Sequence, residues 1–229
     1  VIGGPQKKSS IMKDQERLVT AYHEAGHALV AGACNYSDPV TKITILPRGR
    51  ALGYTMVMPM EDRYSISRNQ LLDQIAYAMG GRMAEEIVFK DPTTGASNDF
   101  EKATSIARTM VTKYGMSQKI GAISLGSGSS EPFLGRELAT HSNYSNEMAQ
   151  QVDAEVSMIL DKALDEAHKA IILNRVVLDK LAKALLEKET LNQDEIAKIF
   201  KTVKKIPART TWRSSTKRTG TNKGPIAVP

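Results

Sequence analysis

A single cysteine, Cys34, in 229 residues leaves no partner for an internal disulfide and no cysteine-rich zinc site. Such scarcity fits a reducing compartment. No run of 18 or more apolar residues occurs, so no segment of this sequence reads as a membrane-spanning helix. Aromatics make up only 5%, while Ala, Leu and Met are plentiful, which argues for helices packed through aliphatic side chains and against an all-β sandwich. Acids are missing from residues 201–229, which hold eight of the 31 Lys and Arg. The preceding 200 residues carry 23 basic and 25 acidic residues, a net charge of −2. The overall +6 therefore belongs to the C-terminal stretch, and a nucleic-acid-binding body is excluded. There is no Gly-x-x-x-x-Gly-Lys-Ser/Thr phosphate loop to hold ATP. The sequence opens Val1-Ile2-Gly3-Gly4-Pro5 without an initiator Met, as expected of a fragment or processed product.

What is present is mostly helical patterning. Residues 1–12 are rich in Gly, Lys and Ser and read as a linker. A helix is expected from Lys13 or Asp14 to about Cys34, then a hairpin of two β-rich runs, 40–46 and 52–58, joined through Pro47-Arg48-Gly49-Arg50-Ala51. Ser65 or Ser67 caps a helix reaching about Phe89, and Asn98-Asp99 opens another that stops at Gly115. A Gly- and Ser-rich stretch, 120–135, has room for one short strand. Long amphipathic helices follow over 143–188, broken near Asn174, with a shorter one over 192–201 after the start signal Thr190-Leu191-Asn192. Beyond Pro207 apolar residues are too few to fold alone. The expected fold is mainly α with a small β-hairpin or sheet. Its expected organisation is a 1–12 linker from an upstream domain, a 13–201 domain, and a 202–229 basic, disordered tail.

The chemistry lies in His23-Glu24-Ala25-Gly26-His27. Residues four apart share a helix face, so both imidazoles can aim at one ion, while Glu24 reaches a water without binding the metal. With 4 His and 14 Glu in the chain, about 0.004 such patterns are expected by chance. Leu18, Val19, Ala21, Ala25, Ala28, Leu29 and Val30 make the segment apolar almost all round, hence buried, and buried His and Glu require partners. Zinc with three protein ligands and one open position lowers the pKa of its water to about 7. Glu24 would take the proton during attack on a peptide carbonyl and pass it to the leaving amine.

The third ligand is not set by spacing. An extended motif would place a His at position 33, which is Ala33, and residues 39–60 contain no acid. Glu61, Asp62, Glu85, Glu86, Asp91, Asp99, His141 and His168 all remain candidates, with Glu85 and Asp99 near expected tight-packing points. Asp99 also has a plain reading as an acid in the first turn of its own helix.

Five ordered segments carry a resemblance. They are Thr20-Ala21-Tyr22-His23-Glu24-Ala25-Gly26-His27-Ala28, Ile45-Leu46-Pro47-Arg48-Gly49-Arg50-Ala51-Leu52-Gly53, Gly80-Gly81-Arg82-Met83-Ala84-Glu85-Glu86-Ile87, Thr94-Gly95-Ala96-Ser97-Asn98-Asp99 and Phe133-Leu134-Gly135-Arg136. Over residues 1–201 the chain resembles the helical peptidase domain of the FtsH family, membrane-anchored ATP-dependent AAA+ zinc metalloproteases. The resemblance implies one zinc (Zn2+) per subunit held by His23, His27 and Asp99, with Glu24 catalytic and Glu85 or Glu86 orienting a ligand histidine. It further implies a homo-hexamer that degrades unfolded, short-lived and membrane proteins in quality control. ATP would be used only by an upstream ATPase domain, and the membrane met only through an upstream anchor. The expected location is the cytoplasmic face of a bacterial inner membrane, or a mitochondrial or chloroplast membrane, with this fragment soluble. No nucleic acid is expected as partner. A substrate strand is expected to add to the hairpin edge at Gly53, Tyr54, Thr55, Met56, Val57 and Met58. The competing reading is a structural zinc-binding adaptor without catalysis.

Overall fold

The computed structural model describes residues 14–47, 52–60, 62–125 and 144–214. These fall into two compact units, one within 1–107 and 158–208, the other within 108–157 and 209–229. The first carries the hairpin and the zinc-motif helix. Its order is α1 (Asp14–Ala33), β1 (Val40–Thr44), β2 (Tyr54–Val57), α2 (Arg68–Phe89), the start of α3 (Ser97–Thr112), the end of α4 (Asn146–Leu173), α5 (Arg175–Lys188), β3 (Thr190–Asn192) and α6 (Gln193–Phe200).

Local chemistry explains the boundaries. Ser67 starts α2 with a capping box: its side chain accepts the Gln70 N–H while the Gln70 side chain accepts the Ser67 N–H, an arrangement worth about 1 kcal/mol. Asn192 and Glu195 repeat the device at α6. Thr93 caps a single 3-10 turn, Thr94–Ala96, that leads into α3. Gly115 takes the left-handed conformation expected after that helix, at φ 61°. Asn174 separates α4 from α5, as the sequence predicted.

α1 and α2 cross in backbone contact. A Cβ on Gly26 would lie 2.4 Å from Gly80 O, and one on Gly80 would lie 2.6 Å from Gly26 O. Any side chain at either position would push the helices apart and cost about 1–3 kcal/mol. On its other sides α1 packs on α5 and the sheet, with Ala21, Ala25, Ala28, Leu29 and Val30 fully buried.

The hairpin is part of a three-stranded antiparallel sheet in the order β2-β1-β3. Sequence reading missed β3 because three residues are too short to show a period, and Thr190-Leu191-Asn192 also reads as a helix start. Since β3 takes the far side of β1, β2 is left as an edge strand among the described residues. Which of its groups face outward follows from alternation. Ile45 donates its N–H to Glu189 O on the β3 side, so Ile43 faces β3 as well, and Lys42 and Thr44 face β2. Their partners Met56 and Tyr54 face back to β1, which leaves the backbone groups of Thr55 and Val57 on the open edge.

Residues after α6, expected to form a loose tail from 202, are packed through Ile206, and further on Arg213 O accepts from Gln118 Nε2. Lys204 N–H donates to Asn174 Oδ1 (2.7 Å), Asn174 Nδ2 donates to Lys204 O (2.9 Å), and Ile206 N–H donates to Ala33 O (3.0 Å). The cause is Ile206, an apolar side chain that is buried. In the second unit, Ser117 donates to a buried carboxylate of Glu155 at 2.6 Å, and Arg108 pairs with Asp153. The expected strand within 120–135, the Phe133-Leu134-Gly135-Arg136 segment, the 1–12 linker and the basic residues from 217 onward lie wholly or partly outside the described residues.

Candidate metal centre

Three segments far apart in sequence meet at one point. His23 and His27 leave α1 on the same face, their rings edge to face with centroids 4.7 Å apart. Asp99 enters from the first turn of α3. His23 Nε2 and His27 Nε2 are 3.0 Å apart, and Asp99 Oδ2 is 3.4 Å from each. The opposing face of α2 presents Tyr77, Gly81 and Glu85 at four-residue spacing. Glu85 Oε1 accepts from His23 Nδ1 (2.7 Å), and Tyr77 O accepts from His27 Nδ1 (2.8 Å). Gly81 lies beneath the rings: a Cβ there would sit 2.5 Å from His23 Nε2 and 2.6 Å from His27 Nε2.

These contacts fix the donor set. A carbonyl and a carboxylate only accept, so both Nδ1 atoms carry hydrogen and both neutral rings present bare lone pairs at Nε2. When both rings are neutral, two lone pairs and a carboxylate oxygen converge with no hydrogen between them, an arrangement that calls for a positive charge at its centre, a metal ion or a proton. Ligand atoms around tetrahedral zinc, with bonds near 2.0–2.1 Å, stand about 3.3–3.4 Å apart, which the observed triangle matches. Among the described residues this is the one group of three with such geometry.

The electrostatics show the same demand for positive charge, which a proton on His23 meets when no metal is bound. Burial lowers the His23 pKa, but the Asp99 and Glu85 hydrogen bonds and the nearby Glu24 charge outweigh it and raise it to about 9. Burial pushes the Asp99 and Glu85 carboxyls up, yet both end below their usual range. The two histidines hold Asp99 down, and His23 together with the Thr93 N–H (2.6 Å) holds Glu85 down. The pocket is built to keep carboxylates ionised around positive charge.

Glu24 is 7% exposed and turns toward the sheet. Thr55 Oγ1 lies 2.8 Å from Glu24 Oε2 and 3.0 Å from Glu24 O. Gly53 lets the strand pass this close, because a Cβ there would be 3.0 Å from Glu24 Cγ and 2.7 Å from Thr44 O. Beside the triad runs a cavity of about 660 Å³ whose lining includes Tyr54, Thr55, Tyr77, Asp99, Lys102 and Ile106.

Of the expected site residues, His23, Glu24, His27, Asp99 and Glu85 come together. Glu86 does not: it lies about 100° around the helix from Glu85 and pairs with Arg82 Nε at 2.6 Å. Gly53 to Met58 run along the edge of the sheet, and Tyr54 to Val57 line the cavity. Sequence reading missed Tyr77 and the Thr55 hydroxyl. The four-residue spacing of Tyr77, Gly81 and Glu85, matching that of the histidines, was the signal available for Tyr77.

Fold and site together define a metallopeptidase domain. The sequence matches peptidase family M41 over residues 10–199. It is 55% identical over all 229 residues to an "ATP-dependent zinc metalloprotease FtsH" of Cutibacterium acnes (strain SK137), covering 32% of that protein. The protein of the same name from Mycobacterium leprae is 47% identical over the whole chain, which covers 29% of it. That from Rubrobacter xylanophilus is 48% identical over 199 residues, 87% of this chain and 31% of the relative. The chain belongs to peptidase family M41. It spans about a third of the length of the curated relatives it matches.

Proposed function

We propose that this domain is a zinc endopeptidase in which His23, His27 and Asp99 hold the metal and Glu24 is the general base. The observation that carries the reading is the convergence of three acceptor atoms at 3.0–3.4 Å beside an acid-bearing helix turn and an open strand edge. Bound zinc supplies Lewis acidity, polarising the scissile carbonyl and acidifying water. Glu85 and the Tyr77 carbonyl keep the two imidazoles in the tautomer that leaves Nε2 unprotonated. Glu24 accepts a proton from water on a carboxylate oxygen and delivers it to the leaving amine.

The open edge of β2, within Gly53 to Met58, takes the substrate as an added strand. Backbone pairing reads little side-chain identity, which suits a protease acting on many unfolded chains. Proline at position 57 removes an outward N–H while leaving the bonds to β1 intact. Val57→Pro is therefore expected to raise KM by about three- to tenfold, the loss of one main-chain hydrogen bond, with kcat little changed in steady-state peptide assays.

The reading extends, on the printed name of the relatives, to the proteolytic part of an ATP-dependent protease. In that protease the chain works as one subunit of a homo-hexamer fed by an ATPase ring. The domain works there at the cytoplasmic face of a membrane, held by an anchor in another part of the protein; among the described residues no helix is long and apolar enough to cross a membrane. The test is digestion of an unfolded fluorogenic polypeptide by the isolated chain. Cleavage is expected to stop on chelation, return with zinc and spare a stably folded protein. Cleavage untouched by chelation, or digestion of the folded protein without ATP, would overturn it.

A further inference from the structure

Thr55 sits where the substrate edge meets the proposed base. Its hydroxyl touches only Glu24 among the hydrogen bonds seen here, at the carboxylate (2.8 Å) and at the main-chain carbonyl (3.0 Å). One hydroxyl hydrogen serves one acceptor at a time, and the oxygen can also accept. With Glu24 ionised, the hydroxyl donates to Oε2. Once the carboxyl carries a proton it can donate to Thr55 Oγ1, whose hydrogen turns to Glu24 O. The contact survives proton transfer.

The strand segment is itself clamped. Tyr77 OH donates to Thr55 O at 2.8 Å, on the open-edge side. The main-chain carbonyl of the same Tyr77 holds His27 Nδ1. One residue of α2 thus fixes both a ligand ring and the strand segment that grips Glu24. A methyl in place of the hydroxyl would suit an edge strand equally well, so strand formation does not call for the oxygen.

We propose that Thr55 is a positioning residue for peptide hydrolysis: its hydroxyl holds the Glu24 carboxylate in register with the metal ligands, and Tyr77 OH holds Thr55. This rests on the zinc-endopeptidase reading. It departs from a purely substrate-binding role for the strand, because the Thr55 N–H left for substrate pairing is unaffected by side-chain change.

The test uses the full chain loaded with zinc and an unfolded fluorogenic peptide, with kcat and KM measured separately, zinc by elemental analysis and melting temperature by calorimetry. Thr55→Val is expected to lower kcat by about 10- to 100-fold, with KM within about twofold and zinc content and melting temperature unchanged. Thr55→Ser should bring kcat back to within about threefold of wild type, and Tyr77→Phe should lower kcat by less than Thr55→Val. Wild-type kcat in Thr55→Val, a loss that Ser does not rescue, a change confined to KM, or loss of zinc would each overturn the proposal. If the wild type is as inert as Glu24→Gln, the enzymatic reading itself fails. If the wild type is active, Glu24→Gln is inert and Thr55→Val is normal, only the role of Thr55 falls.

Discussion

Glu24→Gln is expected to keep a full complement of zinc and to lower kcat by about 10²- to 10⁴-fold, the usual contribution of a positioned acid-base group. The amide is nearly the same shape as the carboxylate, and its oxygen can still accept the Thr55 hydroxyl at the 2.8 Å position. The fold should be undisturbed, since Glu24 is not among the three atoms that converge at 3.0–3.4 Å. What disappears is the capacity to take a proton at neutral pH. Elemental analysis beside single-turnover peptide cleavage separates the outcomes. A purely structural zinc module would bind metal equally in both forms and cleave with neither. Undiminished cleavage by the Gln variant would remove Glu24 from the mechanism.

Asp99→Ala should reduce zinc content to near zero at micromolar zinc and abolish cleavage. Two neutral imidazoles remain, but the one carboxylate among the converging atoms is gone. Bound metal also stabilises the folded state, by about 2.7 kcal/mol when zinc is present at 100 times its dissociation constant. The variant should therefore melt like the chelated wild type, with no further fall on adding chelator, as calorimetry would record. Glu85→Gln is the informative companion. Its carboxylate faces His23 Nδ1, on the far side of the ring from Asp99, so a weakening of zinc affinity by about 10- to 100-fold is expected, and not its loss. Stoichiometric zinc in Asp99→Ala together with none in Glu85→Gln would exchange the two roles.

How much of this was legible beforehand depended on the distance along the chain. His23, Glu24 and His27 share little more than one helical turn, and helix periodicity alone brings them together. The helices themselves were readable from aliphatic patterning and from caps such as Ser67 and Asn192, whose side-chain chemistry is local. Asp99 lies in a different helix, and no spacing rule separates it from seven other candidates; family resemblance did that. Glu85 and Glu86 are chemically alike neighbours, distinguished only by rotation about α2. The Gly81 that makes room for the rings marks the correct side, four residues earlier. β3 and the packed segment through Ile206 escaped because each is stabilised by partners remote in sequence and shows no period of its own. Gly26 and Gly80 allow the helix crossing that brings α2 against the histidines.

The segment that ends at Ile206 has a consequence for synthesis. It satisfies Ala33 O at the close of α1, while Asn35 Nδ2 donates to Ile206 O across 171 residues. A ribosome adding about 5–20 residues per second takes roughly 10–35 s to cover that interval. During that time the histidine-bearing helix lacks the backbone partner of its Ala33 carbonyl. Early metal capture would have to act on an incomplete scaffold, so the zinc-loaded form is expected to mature late, once the polypeptide has grown past position 206.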